Sequence, residues 1–309
     1  MTEQVGELTS LEPVKTRPWA TVWRAETPNG VFFAKQNCAP QSFEAALLTE
    51  LVSLVPDAVV PLAVTDLERG LILTPDQGPV FGSVVDQDID AWSRMLAAAA
   101  QLQRDVAPYA DRLERAGAVP LRPSETAVYV GERLGGFAAL AEDDPRRVPT
   151  EQLDALRDLV PQVERWAEQV GELGLPLTLC HNDLHGNNVF DRDGQLRFFD
   201  FADAMLMEPL ANLLIPLNVL KHGLDAEPDD PRLWKVADAA LGVWTDMRPL
   251  SVLREALPAA LQLAKLARAE SWIRCTAPMD DGELAEWGDS GAYWLGALLD
   301  PPPLRRLED

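Results

Sequence analysis

The chain opens with short apolar or aromatic segments at residues 21–26 and 30–36, joined by Thr27-Pro28-Asn29-Gly30. Pro followed by Asn-Gly is a strong hairpin signal, because Asn and Gly tolerate positive φ. A helix is predicted from Ser42, a good N-cap, to Val55, where Pro56 stops it. Two strand-like pieces follow, at 59–64 and 70–73. Residues 74–79, Thr-Pro-Asp-Gln-Gly-Pro, carry no apolar period and read as a linker. Beyond them helical patterning dominates, near 88–116, 124–141, 150–173, 205–222, 231–245, 250–275 and 283–299, with one β island at 175–201. No internal repeat is present. A small sheet-plus-helix region (1–75) before a large, mainly helical one (76–309) is an α+β plan. Ligands often sit between two such lobes.

Composition narrows the function. The 309 residues include 49 acidic and 27 basic side chains, a formal charge of −22. Such a polyanion repels nucleic acid and anionic membranes and attracts cations at long range, which leaves a small-molecule enzyme open. Cys38, Cys180 and Cys275 have no paired spacing, so neither a zinc cluster nor a disulfide framework is expected, and a reducing compartment suits the chain. The first residues lack the basic and apolar regions of a signal peptide, and the best apolar run, near 210–220, is too short to span a bilayer. A cytoplasmic location is the resulting expectation.

The chemistry concentrates in His181-Asn182-Asp183-Leu184-His185-Gly186-Asn187-Asn188, followed by Phe198-Phe199-Asp200-Phe201. A strand leads into the first stretch, and Asp191-Arg192-Asp193-Gly194 is a turn between two more. Asn188 and Asp200 lie equally far from a tip near residue 194, so an antiparallel pair would set them face to face at its open end. Asp183 enters the same end. Two carboxylates and an amide oxygen are hard ligands of the kind magnesium prefers, with positions to spare for phosphate. One carboxylate can then position an attacking hydroxyl while the other, with the amide, holds the metal. The plainer reading, a loop whose Asn and Asp only make turns, accounts for single residues better than for the whole spacing.

Residues 181–188 and 199–204 resemble the catalytic and metal-binding motifs of aminoglycoside phosphotransferase-like enzymes, which share the protein-kinase fold and include choline and fructosamine kinases. The resemblance spans roughly residues 14 to 215. It implies that Asp183 is the catalytic base, that Asn188 and Asp200 bind Mg²⁺, and that His181 organises the loop from beneath.

The N-terminal region offers matching parts. Lys35 ends a strand and shares a face with Val31 and Phe33, so its stem runs along apolar surface. At 100° per residue, Glu44 falls within the stripe of Leu47, Leu48, Leu51 and Val55. A carboxylate there needs a partner, and Lys35 is the natural one. The kinase fold requires such a pair, with the lysine reaching nucleotide phosphates. A surface Lys and a first-turn Glu favoured by the helix dipole is the bland alternative. Thr74 and Asp76 fall where an adenine-binding hinge belongs, its backbone meeting the base. Three departures from the pattern stand out: residues 17–21 contain no glycine to cover phosphates, Asp200-Phe201 is followed by Ala202 and Asp203, and Asn212 replaces the Asp that often follows Pro209.

Weaker signals surround these. His185 and Asn187 could line an acceptor site or only shape the loop. Asp280, Asp281, Glu283, Glu286 and Asp289 lie among Trp272, Trp287, Tyr293 and Trp294, a mixture that could hold an amine through ion pairs and cation–π contacts, or could be an ordinary charged helix face. Asp203, Asp280 and Asp281 are accordingly candidate acceptor contacts. The leading expectation is an ATP- and Mg²⁺-dependent kinase acting on a hydroxyl of a small, cationic molecule such as an aminoglycoside or other antibiotic, an amino sugar or a choline-like compound. A metal-dependent hydrolase using His181, Asp183, His185 and Asp200 is the second reading, and a kinase-fold binding protein without turnover the third.

Overall fold

The computed structural model describes residues 5–85 and 88–305, with backbone only at 84 and 85. Five antiparallel strands form the first sheet: β1 (Ser10–Arg17), β2 (Ala20–Thr27), β3 (Gly30–Asn37), β4 (Val64–Asp66) and β5 (Leu71–Pro75), in spatial order β1-β2-β3-β5-β4. The expected hairpin joins β2 to β3, with Thr27 paired to Gly30, and the positive φ falls on Gly30 (122°) alone. Helix α1 (Glu44–Leu54) lays Leu47, Leu48 and Leu51 fully buried against the rest. It starts later than the sequence suggested: Ser42 closes a 3₁₀ turn at Ala39–Gln41, its hydroxyl donating to Ala39 O, and Phe43 takes the N-cap position without a side-chain bond.

The strand expected at 59–64 is also displaced. Val59 and Val60 are buried, but their backbone pairs with Phe198, through Val60 N–H to Phe198 O at 3.1 Å and Phe198 N–H to Ala58 O at 2.9 Å. An apolar run of this length cannot say which partner it will pair with; only its last residue joins β4.

The remainder is mainly helical: α2 (Ile89–Val106), α3 (Thr126–Ala138), α4 (Thr150–Gly171), α5 (Leu214–Leu224), α6 (Pro231–Leu241), α7 (Leu250–Thr276), α8 (Asp281–Trp287) and α9 (Ser290–Gly296). Asp88 caps α2 by accepting from the N–H groups of Asp90 and Ala91. Helix α7 is buried around most of its circumference, by its alanines and leucines and by Lys265, Arg268 and Arg274 as well. The helix expected over 205–222 begins instead as a strand. A small sheet of β6 (Val119–Pro120), β10 (Met205–Met207) and β7 (Thr178–Cys180) supports the centre, while β8 (Val189–Arg192) and β9 (Gln195–Phe198) form a hairpin. The hairpin turns at Asp193 (φ 55°) and Gly194 (φ 87°), two left-handed residues in succession, as a two-residue loop of this twist requires.

One close approach fixes the central loop. A Cβ on Gly186 would lie 2.6 Å from Gly82 Cα, and one on Gly82 would lie 2.7 Å from Asn187 Oδ1. Two glycines thus let the segment after Phe81, itself bonded to Val189 O, run flat against residues 186–187. Gly186→Ala is expected to destabilise the fold by roughly 1–3 kcal/mol, because backbone rather than a flexible side chain must move. Denaturant midpoints of the two proteins check this.

Candidate active site

Strand β3 and helix α1 meet at Lys35 and Glu44. Lys35 Nζ lies 2.6 Å from Glu44 Oε2 and 2.5 Å from Asp200 Oδ1. Glu44 is only 1% exposed, and its carboxylate accepts two further bonds, from Asn37 Nδ2 at 2.6 Å and from the Phe201 N–H at 2.8 Å. The partner that burial demanded of Glu44 is therefore present, and the same carboxylate fixes the backbone just beyond Asp200. Burial alone would lower the lysine pKa; the two carboxylates more than reverse this and raise it above its ordinary value. Asp200 is held below the usual carboxylate range: burial opposes ionisation, but the Lys35 ammonium prevails.

Asp183 stands across the same cavity of about 240 Å³, which Lys35, Asp183 and Asp200 all line. Burial would raise its pKa, yet the Arg268 guanidinium, 3.3 Å from Oδ1, and the His185 ring, 3.5 Å from Oδ2, hold it well below the usual range. Asn188 donates Nδ2 to the Asp183 carbonyl at 2.9 Å and to Oδ2 at 3.3 Å. The hairpin register pairs Val189 with Phe198, and the Phe199 N–H donates to Asn188 O. Asn188 is therefore opposite Phe199 and one step diagonal from Asp200, which corrects the expectation that the two face each other. Among the described groups nothing bonds the Asn188 amide oxygen or Asp200 Oδ2. One amide and one carboxylate oxygen suit magnesium, which leaves its other positions to phosphate and water.

His181 lies buried below. Its Nε2–H donates to Phe199 O at 2.8 Å, Nδ1 accepts the Asp183 N–H at 3.4 Å, and its ring packs 4.8 Å from Phe201. With both nitrogens engaged by backbone it positions the loop and is lost to a His181/Asp183/His185/Asp200 metal site. His185 Nδ1 accepts the Asn187 N–H and caps the 3₁₀ turn Gly186–Asn188, while its Nε2 faces Asp183. Asn212 keeps an anchoring role, since Oδ1 accepts the His181 N–H at 2.8 Å.

Other sequence candidates lie elsewhere. Thr74 bonds Phe33 O within the sheet, and exposed Asp76 accepts the Gly78 N–H at 2.8 Å; neither lines the cavity around Lys35. Asp280 caps α8 in a reciprocal box with Glu283, Asp281 is exposed in its first turn, and neither is in the cavity wall. Asp203 does line it, but Oδ1 accepts Gln41 Nε2 and Oδ2 accepts Arg268 Nη1, each at 2.8 Å.

Arg268, Gln41 and Trp19 were not foreseen. Arg268 had a trace in the sequence: with Ser271, Trp272 and Cys275 it forms an i, i+3, i+4, i+7 stripe, and all four residues line the cavity. Gln41 had none. Trp19, in the glycine-free loop between β1 and β2, packs at 5.3 Å on Trp272 and 5.1 Å on Trp287. Aromatic rings thus occupy the place where flexible glycines were missing.

The chain matches the model of the phosphotransferase enzyme family over residues 20–250 and belongs to that family. Its fold is protein-kinase-like. It is similar to Plasmodium vivax ethanolamine kinase at 14% identity and TM-score 0.69, covering 97% of this chain and 85% of that one. A macrolide 2′-phosphotransferase from Brachybacterium faecium is 18% identical with TM-score 0.59, covering 98% and 97%. A spectinomycin phosphotransferase solved with ADP and spectinomycin is 12% identical with TM-score 0.53, covering 97% and 92%. The curated proteins compared by sequence contain no match.

Beneath the loop, Glu208 Oε2 accepts the Leu210 N–H at 3.0 Å and starts the turn that carries Asn212, while Oε1 is buried without a partner among the described residues. Burial raises its pKa from 4.5 to about 7, against the pull of the Leu210 and Ala211 N–H groups. Folding favours the neutral acid, so this contribution to stability is full below the unfolded value and is lost as pH rises through about 7. Relative to wild type, Glu208→Gln should gain roughly 2–3 kcal/mol of stability between pH 5 and pH 8, read from urea midpoints at both pH values.

Proposed function

We propose that the protein transfers the γ-phosphate of ATP, with Mg²⁺, to a hydroxyl of a small molecule. The observation that carries this reading is Lys35 held between Glu44 and Asp200 on one wall of a cavity that Asp183 also lines. In this reading residues 1–75 form the nucleotide-binding lobe, and residues 76–309 carry the loop and the acceptor site. Lys35 contacts the phosphates, and the backbone near Thr74 and Asp76 meets the base. Asn188 and Asp200 would hold the metal, which when bound offsets charge on the phosphate oxygens. Asp183, kept ionised and oriented by Asn188, His185 and Arg268, accepts the hydroxyl proton and aims the oxygen in line. No helix among the described residues is long and apolar enough to cross a membrane.

The expected cationic acceptor is not carried forward, because Asp280 and Asp281 lie outside the cavity wall and both Asp203 carboxylate oxygens already have partners. A hydrolase built on the two histidines is disfavoured by the commitment of His181 to backbone.

Asp183→Asn should lower the rate of acceptor-dependent ADP release by roughly 10²–10⁴-fold with ATP affinity nearly unchanged. Asp200→Ala should weaken Mg²⁺-ATP binding as well. Normal turnover by Asp183→Asn would remove the base assignment, and release of phosphate to water alone would favour a hydrolase.

A further inference from the structure

The geometry points to an uncharged acceptor that presents a flat ring or apolar face beside its hydroxyl, a conclusion that rests on the kinase reading and specifies its substrate. The deciding quantity is the charge left over on the acceptor side of the cavity. Asp203 is the carboxylate nearest to hand, and both of its oxygens are used, by Gln41 and by Arg268. Its carbonyl oxygen is also crowded, accepting from Asn182 Nδ2, Ser271 Oγ and Arg274 Nη2 within 3.3 Å. Asp183 must keep one oxygen for the hydroxyl, and its charge is already countered by the same guanidinium.

Arg268 cannot step aside. It is 8% exposed, bonds the Asn182 carbonyl at 3.0 Å, and bridges the two aspartates. Removing it would leave Asp203 without its guanidinium and Asp183 with only the His185 ring beside it. Burial tends to lower its pKa, but Asp203 and Asp183 raise it above its already high ordinary value, so the cation is permanent. An ammonium or guanidinium on the acceptor would enter beside this fixed positive charge and lose its water. Of the carboxylates among the described residues of the wall, Asp203 is already paired, while Asp183 and Asp200 are given to the hydroxyl and the metal. A neutral hydroxyl needs only Asp183.

The remaining wall has a distinct character. Trp19 and Trp272 line the cavity next to Ser271 and Cys275, and the two indoles brace each other edge to face. An indole face attracts a cation or a flat neutral ring alike, so the balance of charge decides between them. The overall charge of −22 draws cations towards the protein from a distance, but close to Arg268 the local pairing governs.

The test is ADP release from Mg²⁺-ATP with matched acceptors, phenyl β-glucoside against its 2-amino-2-deoxy counterpart and a panel of neutral ring alcohols against kanamycin, spermidine-like amino alcohols and choline. Neutral members are expected to exceed their amine partners in kcat/KM by about tenfold or more, and Trp272→Ala to raise acceptor KM by about tenfold with KM for ATP nearly unchanged. Preference for the amines, or turnover of neither set while Mg²⁺-ATP still stabilises the protein against heat, would overturn the acceptor assignment and leave the kinase reading intact. No stabilisation by Mg²⁺-ATP would instead remove the kinase reading. The same thermal shift applied to Trp272→Ala separates loss of the acceptor wall from loss of the fold.

Discussion

One ammonium group organises this molecule. Lys35 projects from the sheet, Glu44 from the helix packed on it, and Asp200 from the loop beyond the β8–β9 hairpin, and the three charges meet within 2.6 Å contacts. None of the three is stable there without the others, since a buried charge deprived of its partner costs about 3–5 kcal/mol. Glu44 extends the arrangement by binding Asn37 and the backbone of Phe201, so the conformation of the Asp200 loop depends on a residue 157 positions earlier. A cation placed between carboxylates suits phosphate, which can displace one of them without leaving the cation unpaired.

Much of this was legible in the sequence because the relevant signals are local. A single Glu inside a leucine stripe calls for a cation, and Lys35 on the adjoining strand is within reach. The spacing around Asp183, Asn188 and Asp200 survives folding as a shared end of one hairpin, with an error of one residue in register. That error has a simple origin: the turn is centred between Asp193 and Gly194, both left-handed, and a tip placed by composition is uncertain by one position. The displaced strand at 59–64 and the strand hidden at 205–207 failed for another reason, since short apolar runs do not name their partners.

The acceptor side was not legible. Its determinant, Arg268, lies 85 residues beyond Asp183 and 65 beyond Asp203. The acidic and aromatic residues near the C-terminus looked like a cation site, whereas folding turns Asp280 into a helix cap and directs Trp272 and Trp287 onto Trp19. Trp19 in turn ties the loop that lacks glycine to the helical half of the protein. Counting charges in sequence could not reveal which were already paired.

The central claim is that these paired charges form a nucleotide-phosphate site completed by a divalent cation. Titration calorimetry with a non-hydrolysable ATP analogue, with magnesium present and then chelated, addresses it directly. The account predicts one site per chain that weakens about tenfold or more when magnesium is removed. Binding indifferent to the metal, or no binding at all by the folded protein, would contradict it.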